Sequence, residues 1–118
     1  MQFYWWDPNG IPGFVDTALI LEDLRKAGKI QYIGVTNFNT EQLQTLVDAG
    51  VSVATNQIQY SLLDKRPKLK QIDYCIDKRI KILCYGTLAG GFFDEKWLGL
   101  DEPKEAFSNR SLTKYKLI

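Results

Sequence analysis

Short apolar runs typical of β-strands alternate with segments of helical spacing, and this alternation restricts the fold more than any other feature of the sequence. The strand-like runs lie at residues 2–6, 32–35, 51–59 and 80–85. Each is too short for a helix and rich in strand-forming side chains. Between them, helices are predicted at residues 14–27, from a cap at Thr40 to a stop at Gly50, and at residues 68–78. Such an alternation with short connections predicts parallel strands joined by right-handed crossovers.

Each predicted helix has an apolar face, which indicates the side that packs on the sheet. In the first helix, Val15, Ala18 and Leu24 share that face, and Glu22 is predicted to point outward. In the third, Leu69 and Cys75 are among the residues predicted to point inward. The aromatic run QFYWW at residues 2–6 predicts a strand buried on both faces.

The chain has 118 residues, the size of one small domain, and we treat residues 1–118 as a single domain. A closed barrel of eight strand–helix units needs about 250 residues. Four units therefore form either an open α/β sheet or a piece of such a barrel, and in both cases two sheet edges stay open. After Gly91 the periodicity fades, and a capped helix is predicted to start at Asn109 or Ser111. This pattern is typical of an interrupted domain.

Acidic and basic residues are nearly balanced, with a formal net charge of +1. This balance gives no reason to expect nucleic acid or an anionic membrane as a partner. No apolar run approaches the roughly 20 residues that span a bilayer, and the first residues lack the pattern of a secretory signal. Cys75 and Cys84 lie in apolar contexts and are predicted to be buried thiols rather than a disulfide. The expected location is the cytoplasm.

The sequence contains no histidine. Histidine ligation of a metal is therefore excluded, as is any Ser-His or Cys-His nucleophilic pair. A general acid or base in this chain has to be Asp, Glu, Lys, Tyr or Cys.

Polar or glycine-rich pairs follow three of the predicted strands: Thr36-Asn37, Asn56-Gln57 and Tyr85-Gly86. Each pair alone has an ordinary structural explanation as a turn, a strand end or a core residue. Because the carboxyl ends of parallel strands meet at one edge of a sheet, the three pairs together indicate one crevice. Amides there could hold a carboxamide, a tyrosine face could stack on a planar ring, and the glycine-rich residues 86–91 could approach a phosphate.

The motifs IGVTNF, NQIQYSLLD and CYGTLAGG follow one another in this order. Together they resemble the aldo-keto reductase family, whose pattern is a strand ending in Ser/Thr-Asn, then Asn-Gln-hydrophobic-x-Tyr, then Tyr-x-x-Leu-x-Gly-Gly. The resemblance covers about residues 2–99. It implies an α/β fold, a partial (β/α)8 TIM barrel that runs roughly from strand 4 to strand 7 with the intervening helices, and an NADP-dependent oxidoreductase domain.

The resemblance also implies cofactor-binding roles for six residues. Those matching Thr36, Asn37 and Gln57 hold the nicotinamide carboxamide in the family, and the residue matching Tyr85 stacks on the nicotinamide ring. The residues matching Gly86 and Leu88 lie along the cofactor near the pyrophosphate. The partners implied are NADP(H) and a small carbonyl substrate.

The chain departs from the family pattern in its catalytic residues. The family's catalytic Asp, Tyr and Lys lie on earlier strands, which residues 1–118 do not include. The position of the family's catalytic histidine matches Tyr4. A phenol with a pKa near 10 is a different acid from imidazole, and we expect Tyr4 to be a packed aromatic residue. The eighth strand and the helix that binds the adenosine phosphate are also missing. Weak or vestigial NADP binding is therefore expected, and no catalytic residue is assigned.

The leading interpretation is a fragment of an aldo-keto reductase-like oxidoreductase that is not catalytically competent alone. One alternative is a non-catalytic module that senses nucleotide or pairs with another subunit, with self-association through the open barrel edges. A second is a truncated gene product without its own function. A small Rossmann or flavodoxin-like domain is disfavoured, because no G-x-G-x-x-G loop follows the first strand.

Overall fold

The computed structural model describes residues 1–6, 10, 12–104 and 107–117. Over these residues the chain forms one parallel sheet whose strands lie side by side in chain order. The strands are β1 (Gln2–Tyr4), β2 (Ile33–Thr36), β3 (Val53–Gln59) and β4 (Lys81–Tyr85). The helices are α1 (Phe14–Lys26), α2 (Thr40–Asp48), α3 (Gln71–Asp77) and α4 (Arg110–Lys116), with single 3₁₀ turns at Arg66–Leu69, Ala89–Gly91 and Glu95–Trp97. The predicted strand–helix alternation is confirmed.

Local capping explains where α2 begins and where α1 and α2 end. Asn39, rather than the predicted Thr40, caps α2: its Oδ1 accepts from the Gln42 N–H at 2.8 Å, and the Gln42 Oε1 accepts from the Asn39 N–H at 3.0 Å. This reciprocal pair satisfies two N–H groups that a helix N-terminus leaves open. Gly28 and Gly50 follow α1 and α2 with φ of 73° and 89°, the left-handed conformation that ends helices and suits glycine.

The core lies between the helices and one face of the sheet. Phe38, which follows β2, is 2% exposed, and its ring centroid lies 5.7 Å from that of Phe3 and 5.8 Å from that of Phe14. The other fully buried side chains on this side include Ile33, Val35, Leu43 and Leu46. These contacts join β1, β2, α1 and α2 into one hydrophobic cluster.

The opposite face of the sheet, which we call the open face, has no described element packed across it. Its cross-strand rows are Gln2–Gly34–Thr55–Lys81 and Tyr4–Thr36–Gln57–Leu83. Tyr4 and Leu83 are 48% and 44% exposed there. The prediction that β1 is buried on both faces is therefore wrong, since Phe3 is buried and Tyr4 is not. The expectation that Tyr4 is a packed aromatic fails for the same reason.

Three further predictions of burial are also wrong. Glu22 is 2% exposed, because its carboxylate accepts a hydrogen bond from the Ser52 N–H in the loop that leads into β3. Leu69 is 82% exposed, because it ends a separate 3₁₀ turn instead of forming the first turn of α3. Cys84 is a free, exposed thiol on β4, the last strand of the described sheet, whereas Cys75 is buried as predicted. Burial raises the pKa of the Cys75 thiol.

None of the helices in the described ranges is both long enough and apolar enough to cross a membrane.

Candidate nucleotide site at the sheet edge

Four of the six residues predicted to bind the cofactor lie together at the carboxyl-terminal edge of the sheet. Thr36 and Gln57 are cross-strand neighbours on the open face. The Asn37 N–H donates to the Gln57 carbonyl oxygen at 2.9 Å. The Tyr85 hydroxyl donates to Asn37 Oδ1 at 2.8 Å, so that one hydrogen bond spans from the end of β2 to the end of β4. The exits of three strands thus form one polar cluster.

Backbone geometry at Asn37 sets the direction of its side chain. Its φ is 58°, a left-handed conformation that asparagine tolerates better than most residues. Because Tyr85 donates to Oδ1, the Asn37 amide presents its Nδ2 donor to other groups. Among the described residues, Asn37 Nδ2 makes no hydrogen bond. The arrangement suits recognition of a carbonyl oxygen on a ligand.

Asn56 does not belong to this cluster. It is fully buried on the helix-covered side of β3, and its Nδ2 donates to the Phe38 carbonyl oxygen at 2.9 Å. Gln71 Nε2 donates to the same oxygen. The structural explanation of Asn56 is therefore confirmed: this pair of bonds fixes the backbone directly after Asn37.

The loop after β3 is held by a buried carboxylate. Asp64 is 3% exposed and accepts from Arg66 Nε at 2.8 Å and from Gln59 Nε2 at 3.0 Å. The Arg66 guanidinium holds the pKa of Asp64 below its usual range. Arg66 also lines a cavity of about 510 Å³ that reaches Asn37 and Tyr85. These contacts hold the loop against the end of β3, beside the polar cluster.

The glycine-rich turn after β4 is covered by α4. The sequence predicted a helix starting at Asn109 or Ser111, but it did not predict that this helix contacts the turn. Tyr115 is 9% exposed, and its hydroxyl oxygen lies 1.9 Å from the position that a Cβ on Gly86 would take. Burial raises the pKa of Tyr115. Farther along, the side chain of Leu88 is exposed, and the N–H groups of Thr87 and Leu88 meet no acceptor in the described chain. The turn beyond Gly86 is thus the part that remains open to a phosphate.

The structure supplies a direct check on this packing. Gly86 has φ of 72°, so Gly86→Ala combines backbone strain with a clash against Tyr115. Gly50→Ala is the matched control, because Gly50 has φ of 89° and nothing within 4 Å of an added Cβ. We expect Gly50→Ala to lose about 1 kcal/mol of unfolding free energy, and Gly86→Ala to lose about 1–2 kcal/mol more. Equal losses in urea titrations would contradict the packing of Tyr115 on Gly86.

No catalytic constellation accompanies the cluster in the part of the chain that the structure describes. Tyr4 lies beside Thr36 on the open face, and its ring is tilted by 47° to that of Trp6, with the centroids 6.3 Å apart. Among the described residues no group of acidic and cysteine side chains is arranged to hold a metal ion.

Comparison with known proteins shows the family to which this chain belongs. Residues 1–117 match the model of the aldo/keto reductase family, and the chain belongs to that family. Over 95 residues, 80% of this chain and 28% of the relative, it is 35% identical to the aldo-keto reductase YhdN of Bacillus subtilis (strain 168). It is also 33% identical to flagellar radial spoke protein 5 of Chlamydomonas reinhardtii, over 87% of this chain and 22% of that protein.

Solved structures of the same class superpose on the chain. An aldo/keto reductase from Klebsiella pneumoniae in complex with NADP and acetate matches 77% of the chain and 32% of its own length, with a TM-score of 0.64 and 26% identity. The glycerol dehydrogenase from Gluconobacter oxydans matches 97% of the chain and 36% of its own length, with a TM-score of 0.73 and 25% identity. The partial TIM barrel is confirmed, and the chain spans less than a third of the length of these curated relatives.

Proposed function

We propose that this chain forms the nicotinamide-binding part of an NADP(H)-dependent oxidoreductase site and does not reduce carbonyl compounds by itself. In this proposal Thr36, Asn37 and Gln57 hold the carboxamide and Tyr85 stacks on the nicotinamide ring. The turn that begins at Gly86 and includes Leu88 lies along the pyrophosphate. A cytoplasmic location and a single domain over residues 1–118 stay predictions from the sequence.

The observation that carries the proposal is the hydrogen bond of 2.8 Å from the Tyr85 hydroxyl to Asn37 Oδ1. It leaves an amide donor, a glutamine side chain and an aromatic ring together at the edge where parallel sheets bind ligands. A carboxamide needs both a donor and an acceptor, and a nicotinamide ring needs a flat apolar surface. The donor set fits the group. A solved relative in complex with NADP supports the choice of dinucleotide.

The part of the site around Gly86 leaves less space for the pyrophosphate. Tyr115 fills the space over Gly86, so a pyrophosphate has to contact the turn through the N–H groups of Thr87 and Leu88. A bound NADPH supplies a hydride. The described residues at this edge orient the ring that carries it, and none of these described residues is positioned as the proton donor for a carbonyl. Loss of proton donation alone costs about 10²–10⁴-fold in rate.

The test is a calorimetric titration of the 118-residue chain with NADPH, using tyrosine variants at opposite sheet edges. Tyr85→Ala removes the stacking ring, and Tyr32→Ala is the control, since Tyr32 is 63% exposed and precedes β2 at the other edge. We expect weak binding that Tyr85→Ala reduces about five- to tenfold, the equivalent of about 1–1.5 kcal/mol of stacking. Equal losses in the two variants would contradict the assignment.

An assay with NADPH and a simple aldehyde tests the second half of the proposal. The absorbance of reduced nicotinamide should not fall faster with the chain than without it. Reproducible turnover by the purified 118-residue chain would show that the residues present are catalytically sufficient.

A second candidate function is pairing with another subunit through the open face and the outer strands. Exposed apolar side chains on this part of the sheet, Tyr4 and Leu83 among them, support it. One relative bears the name of a flagellar radial spoke protein, so membership of the family is not by itself an argument for catalysis. Sedimentation of the chain as a folded monomer at all concentrations would argue against pairing with a second copy.

A further inference from the structure

We propose that Lys114 biases the nucleotide site toward the reduced dinucleotide, so that NADPH binds more tightly than NADP⁺ because of this one side chain. The inference rests on the proposed function above, since it concerns the ring that stacks on Tyr85. It assigns to α4, the helix predicted to start at Asn109 or Ser111, a role in choosing between the two redox states of the dinucleotide.

The position of Lys114 follows from the packing of α4. Tyr115 anchors the helix on Gly86, and the next side chain back along the helix reaches over the end of β4. The Lys114 ammonium lies 5.5 Å from the centroid of the Tyr85 ring and 5.1 Å from that of the Tyr115 ring. Both distances are within the range of cation–π attraction. A positive charge therefore lies directly beside the proposed stacking ring.

This charge is not neutralised by the protein, unlike others nearby. Arg66 pairs with Asp64 at 2.6 Å, Lys96 with Asp94 at 3.5 Å and Lys116 with Glu102 at 3.4 Å. Over the described ranges, no carboxylate lies within ion-pair distance of Lys114. Its field is reduced only by water and salt, and it acts on whatever occupies the site.

The two forms of the dinucleotide differ in the charge of the ring. The oxidised nicotinamide ring carries a positive charge, and the reduced ring is neutral. Lys114 attracts the phosphates of both forms equally but repels only the oxidised ring. Lys114 disfavours the oxidised ring whether the nicotinamide stacks on the same face of Tyr85 as the ammonium or on the opposite face. In both arrangements the ammonium and the positively charged ring are neighbours. At such separations and partial exposure the difference is about three- to tenfold in affinity.

The test compares calorimetric affinities of the 118-residue chain for NADPH and for NADP⁺. Lys114→Met removes the charge and keeps the length of the side chain, and Lys114→Glu reverses it. Lys78→Met is the matched control, because the Lys78 ammonium also lies over a tyrosine, 5.9 Å from the Tyr74 centroid, but beyond the C-terminal end of α3. Lys114 and Lys78 are both exposed to solvent, and circular dichroism checks that each of the three variants is folded.

The ratio of the two dissociation constants is the informative quantity. We expect the wild-type chain and Lys78→Met to favour NADPH, Lys114→Met to reduce that preference about three- to tenfold, and Lys114→Glu to reduce it further. Added salt should weaken the preference only where Lys114 is present. If both forms bind and Lys114→Met leaves the ratio unchanged, this inference fails while the proposed function stands. If neither form binds the wild-type chain, both fail together.

Discussion

Phe38→Ala is expected to remove a large part of the free energy of unfolding that keeps the chain folded. The Phe38 ring is 2% exposed and contacts both Phe3 of β1 and Phe14 of α1. Its removal opens a cavity where three elements meet, at a cost of about 3–5 kcal/mol. A small domain has only about 5–15 kcal/mol of stability in total.

Urea denaturation followed by far-ultraviolet circular dichroism measures this effect. Leu69→Ala is the control, because it also truncates an apolar side chain but at a site that is 82% exposed, and it should change stability by less than about 0.5 kcal/mol. Phe38→Leu should give an intermediate loss, since it keeps part of the volume. Similar midpoints for Phe38→Ala and Leu69→Ala would show that Phe38 is not the centre of the core.

The second large effect is expected at the buried carboxylate of Glu22. Arg25 donates to it through Nε at 3.0 Å and Nη2 at 2.7 Å, and the Ser52 N–H donates at 3.1 Å. Arg25→Ala leaves the Glu22 carboxylate, which is 2% exposed, without its cation and is expected to destabilise the fold strongly. Glu22→Ala should cost less, about 1–3 kcal/mol, because the partly exposed guanidinium regains water and only the Ser52 N–H is left unsatisfied. Asp23→Ala, at the exposed neighbour, is the control.

The pH dependence of the unfolding free energy distinguishes the Glu22–Arg25 ion pair from a contact that stabilises only by packing. The hydrogen bonds from Arg25 lower the pKa of Glu22 in the folded chain. A carboxyl group with a lowered folded pKa contributes stability that is present above its unfolded pKa, about 4.3, and lost as the pH falls through the folded value. The penalty of Arg25→Ala should therefore be full near neutral pH and shrink below about pH 4. A penalty that is constant from pH 7 to pH 3 would contradict the ion pair.

The sequence predicted the strands, the helices and most of the polar cluster because those signals are local. Alternation and helical spacing are properties of neighbouring residues, and the strand exits bring Thr36, Gln57 and Tyr85 to one edge once the strands are parallel. The resemblance to the family placed the same residues independently. The structure adds the hydrogen bond between Tyr85 and Asn37, which the order of the motifs does not contain.

The features that the sequence did not predict depend on contacts between distant segments. Glu22 has the spacing of an exposed residue, and what buries it is a backbone N–H of Ser52, 30 positions later. Tyr115 and Lys114 reach the turn at Gly86 only through the path of the chain after β4, a stretch without periodicity. Cys84 lies on a strand pattern that indicates burial, and its exposure follows from the position of β4 at the end of the sheet.

The most direct test of the proposed site is a titration of the isotopically labelled 118-residue chain with NADPH, followed by the chemical shifts of its amide groups. The side-chain amides of Asn37 and Gln57 and the backbone N–H groups of Thr36, Thr87 and Leu88 should shift together and saturate at one concentration. The backbone N–H groups of Tyr32 and Lys81, at the opposite edge, should stay unchanged. Shifts confined to that opposite edge, or no shifts at concentrations where the chain is folded, would contradict a nicotinamide site at the carboxyl-terminal edge.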